Sequence, residues 1–348
     1  MFPILLAAAL ALSPPDATEG VAYENGRWFD GHRFVPATWY VVEGRLTRNA
    51  PSRLAARIDL AGGHVVPPFA EAHNHNLQNA WGASRMQETY RDQGVLYAAM
   101  LCGNPGSTAE ARAALDPRPG LEVLIASACI SSSDGHPLRM ARRLPDGSEA
   151  PVEDIHDKSY IVMDTPADIT RKWPLVQAAN TDIVKAILVH SERPEHRRDP
   201  GMHGINGLAP ELLAPLVQRA HADGLRVAVH TESAADFRVA VQAGADWIAH
   251  LPGYRIWEGR DESDYRLDEQ SIRLAAERGI TVIATANQAL PASDGDAAAL
   301  ARVQSLQREN LTRLLAAGVP VAIGSDRYDG TSVEEFDYLR ELGVMEAP

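Results

Sequence analysis

Val65-Val66-Pro67-Pro68-Phe69-Ala70-Glu71-Ala72-His73-Asn74-His75 runs a short apolar stretch into an acid and two histidines. Side chains on a strand alternate with period two, so His73 and His75 point the same way from one strand end. One metal ion can take both. Working outward, Val227-Ala228-Val229-His230 and Trp247-Ile248-Ala249-His250 each end an apolar run in a single histidine, and Val321-Ala322-Ile323-Gly324-Ser325 runs into Asp326. Any one such histidine is commonly a hydrogen-bonded structural residue. Their joint placement at the ends of several separate strands points instead to a shared metal site.

From Gly62-Gly63 onward, short apolar runs alternate with helical patterns, the signature of repeated βα units and a parallel sheet. Candidate strands span residues 64–70, 95–102, 121–130, 183–189, 225–230, 247–250, 280–285 and 319–323. Eight of them predict a closed, TIM-like (β/α)8 barrel over residues 63–348. Helix signals agree: Pro210 suits a first turn, Leu212, Leu213, Leu216, Val217 and Ala220 form one stripe, and Asp268 is an N-cap for a helix ending at Gly279. Long loops at 131–165, 191–207 and 252–267 follow strands, so all three crowd the end of a barrel where sites are built. Residues 21–62 alternate strand-like runs with Asn25-Gly26, Asp30-Gly31 and Gly44 turn signals and predict a small antiparallel β-module.

The 348 residues, 45% hydrophobic and 23% charged, fit a barrel of about 250 residues plus a small module and are too polar for a membrane bundle. With 33 Lys+Arg against 46 Asp+Glu the net charge is -13, which argues against nucleic acid or an anionic membrane as partner. The apolar run from Phe2 to Leu12 is too short to span a bilayer and predicts residues 1–20 as a signal segment, although a basic start is missing. The expectation is export, to the periplasm or beyond the cell, without a stable membrane anchor. Cys102 and Cys129 lack metal-site spacing and are read as two buried small hydrophobes, with no disulfide framework.

Lys185 interrupts the apolar strand Ile183-Val184-Lys185-Ala186-Ile187. A bare buried ammonium there is costly, so either it pairs with an acid such as Asp182 or Glu192, or a desolvated amine adds carbon dioxide and becomes a carbamate between two metals. On these residues alone both accounts stand.

Across nearly the whole chain, the motifs at 65–75, Asp182-Ile183-Val184-Lys185, Val229-His230, Ala249-His250-Leu251-Pro252 and Gly324-Ser325-Asp326 resemble the metal-dependent amidohydrolase superfamily, within it the imidazolonepropionase-like and prolidase-like branch. The resemblance implies that His73, His75 and Asp326 hold one metal, that His230 and His250 hold a second, and that carboxylated Lys185 bridges them. Ser131-Ser132-Ser133-Asp134-Gly135-His136 looks like the glycine-histidine loop of this branch and places His136 at the substrate, with Asp134 standing where a glycine is more usual. Against the family pattern the chain stops at Pro348, after a helical stretch at 333–342, so the expectation is a shortened C-terminus that leaves the N-terminal module without partner strands.

What this implies is hydrolysis of carbon–nitrogen bonds in an amide, cyclic amide or dipeptide, by a metal-bridging hydroxide with Asp326 as proton shuttle. Imidazole and carboxylate ligands without thiolates point to zinc, two ions, with another divalent transition metal as substitute. A lactonase or phosphotriester hydrolase would use almost the same ligands, and a weakened barrel that only binds metal or a small ligand is the reading from a different class. Homo-oligomer formation is left open.

Overall fold

An eleven-residue strand, β1 (Glu19–Phe29), organises the first part of the chain. The Asp30-Gly31 turn folds β2 (Phe34–Val42) back on it antiparallel, and β3 (Arg45–Thr47) adds to β2 the same way. The other edge of β1 is taken in parallel by β4 (Arg53–Asp59) and then β5 (His64–Val65). The module expected to be antiparallel is therefore a mixed sheet, because β1 is long enough to serve two successive returning segments on one edge. The computed structural model describes residues 19–115 and 120–345. The apolar run Phe2–Leu12 and its expected cleavage sites lie outside them, while β1 begins inside the segment 1–20 expected to be removed.

The chain divides into two units between Pro68 and Phe69. The strand expected over 64–70 is split at this point, with His64–Val65 paired in the first unit and Phe69–Asn74 in the second. Pro67 and Pro68 supply the break, since neither can donate to a ladder.

The second unit is built from parallel pairs. β6 (Phe69–Asn74), β7 (Val95–Leu101) and β8 (Glu122–Ala126) form one array. The other contains β9 (Cys129–Ser131), β10 (Ile161–Val162), β11 (Ile183–Ile187), β12 (Arg226–His230), β13 (Trp247–Ile248), β14 (Thr281–Ile283) and β15 (Val321–Ala322), in the order β10-β9-β11-β12-β13-β14-β15. The single strand expected over 121–130 is two, β8 and β9, interrupted at Ser127-Ala128. Backbone bonds join the arrays in two places: beside β15 Ala72 N donates to Ile323 O and Asp326 N to His73 O, and just ahead of β11 Asp182 N donates to Ile125 O of β8.

Helices follow the strands in regular alternation, among them Ala80–Asp92, Pro210–Ala222, Ala234–Ala243, Glu269–Arg278 and Ala297–Ala316. Strand parity explains what each face buries. Val184, Ala186, Val227 and Val229 pack against helix residues such as Leu212, Leu216 and Phe237 in one large core. Ile183, Ala228, Ala249 and Ile283, of opposite parity or at strand ends, form a second cluster without helix residues. Both faces being buried, the strands read as near-continuous apolar runs. Lys185 shares the parity of Ile183 and Ile187.

The two cysteines correct an expectation. Cys102, just past β7, and Cys129, at the start of β9, are joined as a disulfide with Cα atoms 4.9 Å apart, well within bonding reach. Spacing along the chain carries no trace of this, because the passage through β8 is what brings the two ends together.

Candidate metal centre

Two strand ends build one side of the site. Glu71, buried and of the same parity as His73, accepts the backbone N–H of His73 at 3.2 Å and that of Ser325 at 2.8 Å, so one carboxylate brackets β6 and the segment leading to Asp326. Burial pushes Glu71 up to about 8 against these hydrogen bonds. Gly324 is required here: a Cβ would lie 2.7 Å from His73 N and 2.6 Å from Ile283 Cγ2. Asp326 follows in the left-handed region at φ 52 and turns its carboxylate toward both histidines. Its Oδ1 is 3.2 Å from His73 Nε2 and 3.0 Å from His75 Nε2. One ligand atom from each of the three residues lies within 4.8 Å of the others.

The protonation states suit a cation. The Nδ1 of His73 lies 2.9 Å from the carbonyl of Ala249, which can only accept, so Nδ1 carries the proton and Nε2 a lone pair. Burial holds His73 well below the ordinary histidine range, so it stays neutral. For Asp326 burial acts upward, while the hydrogen bond from His75 favours the carboxylate, and the carboxyl lies well below its usual range. A lone pair and a carboxylate thus face each other across 3.2 Å, and His73 Nε2 is buried without a hydrogen-bond partner. An ion between them relieves both. The residues present therefore fit a divalent metal.

His250 and His230 stand on the other side, their rings 4.4 Å apart between centroids, and the His73 and His250 rings are 4.8 Å apart. His250 Nδ1 sits 3.0 Å from Thr285 Oγ1 and 3.8 Å from Asp326 Oδ2. Lys185 is 2% exposed, and burial lowers its ammonium from 10.5 to about 7, with the Asp326 carboxylate opposing. Neither partner suggested for it is in place: Asp182 pairs with Arg112, and Glu192 with Arg260. His136 stacks on His230 at 5.4 Å, and burial, then His230, takes it down to about 3. All seven residues singled out in the sequence line one cavity of about 870 Å³.

Sequence reasoning missed Glu232, Tyr254 and Trp257, which line the same cavity. Glu232 had a signal: it stands two residues past His230, on the same parity. The two aromatics lie in the loop after β13, where no periodicity places them.

Several solved structures share this fold. The chain is similar to a Xaa-Pro dipeptidase with methionine bound in the active site, at TM-score 0.68 and 16% identity over 93% of this chain and 84% of that one. It is similar to the ochratoxinase of A. niger, at TM-score 0.67 and 16% identity over 95% of this chain and 81% of that one. A third is molinate hydrolase, at TM-score 0.60 and 17% identity over 92% and 76% of the respective chains. No protein-family model and no curated protein matches the chain. At these identities the likeness is one of fold, an α/β architecture of parallel βα units shared with these hydrolases.

Proposed function

We propose that this protein is a metal-dependent hydrolase of carbon–nitrogen bonds in small molecules, an amide, cyclic amide or dipeptide, in the imidazolonepropionase-like and prolidase-like branch of the amidohydrolase superfamily. The observation that carries this is the His73 Nε2 lone pair facing the Asp326 carboxylate at 3.2 Å, beside His75 and within reach of a cavity that also holds Lys185, His230 and His250. The alternating strand-helix order and the backbone bonds that join β6 to the β15 end and β8 to the start of β11 support a (β/α)8 barrel.

In this reading His73, His75 and Asp326 would hold one ion, His230 and His250 would hold a second, and Lys185, as a carbamate, would be a ligand shared by the two. The donors are imidazole and carboxylate, and both cysteines are committed to a disulfide, so zinc is the ion of choice. When bound, such ions polarise a carbonyl and make water acidic near neutral pH. Lys185, lowered to about 7, presents at neutral pH the free amine that attacks carbon dioxide, forming the N–C bond and releasing a proton. The ionised Asp326 takes the proton of the attacking water and passes it to the leaving nitrogen. His136 meets the substrate. Export is supported by the apolar run Phe2–Leu12 and by the Cys102–Cys129 bond, since disulfides persist in oxidising compartments.

The test joins elemental analysis of protein prepared with zinc and bicarbonate to a panel of cyclic amides, Xaa-Pro and other dipeptides, and lactones. Two ions and turnover of a carbon–nitrogen substrate are expected. Absence of bound metal together with no turnover would overturn the reading, and turnover confined to lactones would move it to another bond.

A further inference from the structure

Glu232 is a buried acid whose polar partners are three side chains of the same cavity. It is 5% exposed, and both of its oxygens are taken up by neighbouring side chains. Its Oε1 is 3.1 Å from His230 Nε2 and accepts from Tyr254 Oη at 2.5 Å, while Oε2 accepts from Trp257 Nε1 at 3.1 Å. Three donors occupy most of the roughly four lone-pair sites of a carboxylate. Such a group is not free to meet a substrate, so its effect passes through what it holds.

What it holds is a ring. A carboxylate only accepts, so His230 Nε2 donates, and in the neutral ring that a metal requires the lone pair is on Nδ1. The ring is further confined by His250 at 4.4 Å and His136 at 5.4 Å. Histidines that bind metals through one nitrogen commonly donate the other N–H to a carboxylate, which fixes the tautomer and raises ligand basicity. We propose that Glu232 is a positioning residue for the metal centre: it fixes His230 with Nδ1 as the metal-binding atom and, through Tyr254 and Trp257, ties the loop after β13 to that same ring. The inference rests on the metal-centre reading and adds a residue that reading does not contain.

The test uses the full chain reconstituted with zinc and bicarbonate, affinities being read by chelator competition and ligand geometry by the visible spectrum of the cobalt-substituted protein. Glu232→Gln should weaken one ion about 10–100-fold and shift the cobalt bands, leaving any other ion unchanged. Tyr254→Phe should move affinity in the same direction by less. Glu232→Asp should restore part of the loss, and a purely structural role would change thermal stability of the metal-free protein without moving the cobalt spectrum. Should Glu232→Gln fail to fold, Tyr254→Phe with Trp257→Phe is measured the same way. Native affinity for every ion and an unchanged spectrum in these variants would overturn the inference alone. A wild-type protein that takes up no divalent ion would overturn the metal centre, and the inference with it.

Discussion

The two flanks of the cavity are built on different principles. On the β6 and β15 flank, the ligand atoms of His73, His75 and Asp326 converge within 4.8 Å, held by backbone: Asp326 N donates to His73 O, and Glu71 brackets both segments. On the β12 and β13 flank, His230 and His250 are held by side chains from elsewhere, Glu232 with Tyr254 and Trp257 for one and Thr285 for the other. The first flank is preorganised by strand geometry. The second also draws on a loop, and its histidines should respond to substitutions at residues other than themselves.

The largest effect should come from the β6 and β15 flank. Asp326→Asn cannot accept a proton at neutral pH, so turnover should fall about 10²–10⁴-fold even in fully metallated protein. Steady-state kinetics with metal content measured in parallel would check this; near-native turnover would reduce Asp326 to a ligand and pass the proton to His136.

Between the flanks in chain order lies the Cys102–Cys129 bond, closing a loop of 27 residues. Replacing both cysteines by alanine should lower stability by about 3 kcal/mol on loop-closure entropy, read from the denaturant midpoint. A fall that also strips metal would show that the bond supports the ligand geometry as well as the fold.

The proposed carbamate on Lys185, which lines the same cavity as both flanks, should make metal uptake pH-dependent. Burial lowers its folded-state pKa to about 7, so below that pH it is an ammonium and cannot add carbon dioxide. His73 and His250, both held well below 6.5, remain neutral ligands through the same window. Uptake of the bridged ion in bicarbonate should therefore fall about tenfold per pH unit below about 7. In the metal-free protein the same group should add stability as pH rises from about 7 toward 10.5, because there the unfolded chain binds the proton and the folded one does not. Denaturation of wild type and Lys185→Met across this range separates its contribution.

The smallest effect belongs to the β12 and β13 flank. Ser233 caps the helix Ala234–Ala243, accepting the Asp236 N–H in a capping box directly after Glu232. Ser233→Ala should cost about 1 kcal/mol in denaturant unfolding. If affinity for one ion drops as well, the helix terminus helps aim Glu232.

Local periodicity made the first flank legible. The spacing of His73 and His75, the strand endings at His230, His250 and Asp326, the caps at Pro210 and Asp268, and the βα alternation all follow from rules that act within a few residues. Glu232 obeyed the same parity rule and could have been found by it. The parallel pairing of β4 and β5 with β1, the break of one expected strand into β8 and β9, the Cys102–Cys129 bond, and the donors that Tyr254 and Trp257 offer Glu232 were settled by tertiary structure. The physical reason is range: strand parity and helix caps are encoded in neighbours along the chain, whereas a sheet-edge partner, a disulfide partner or a hydrogen bond to a buried carboxylate depends on which distant segments the packed core brings together.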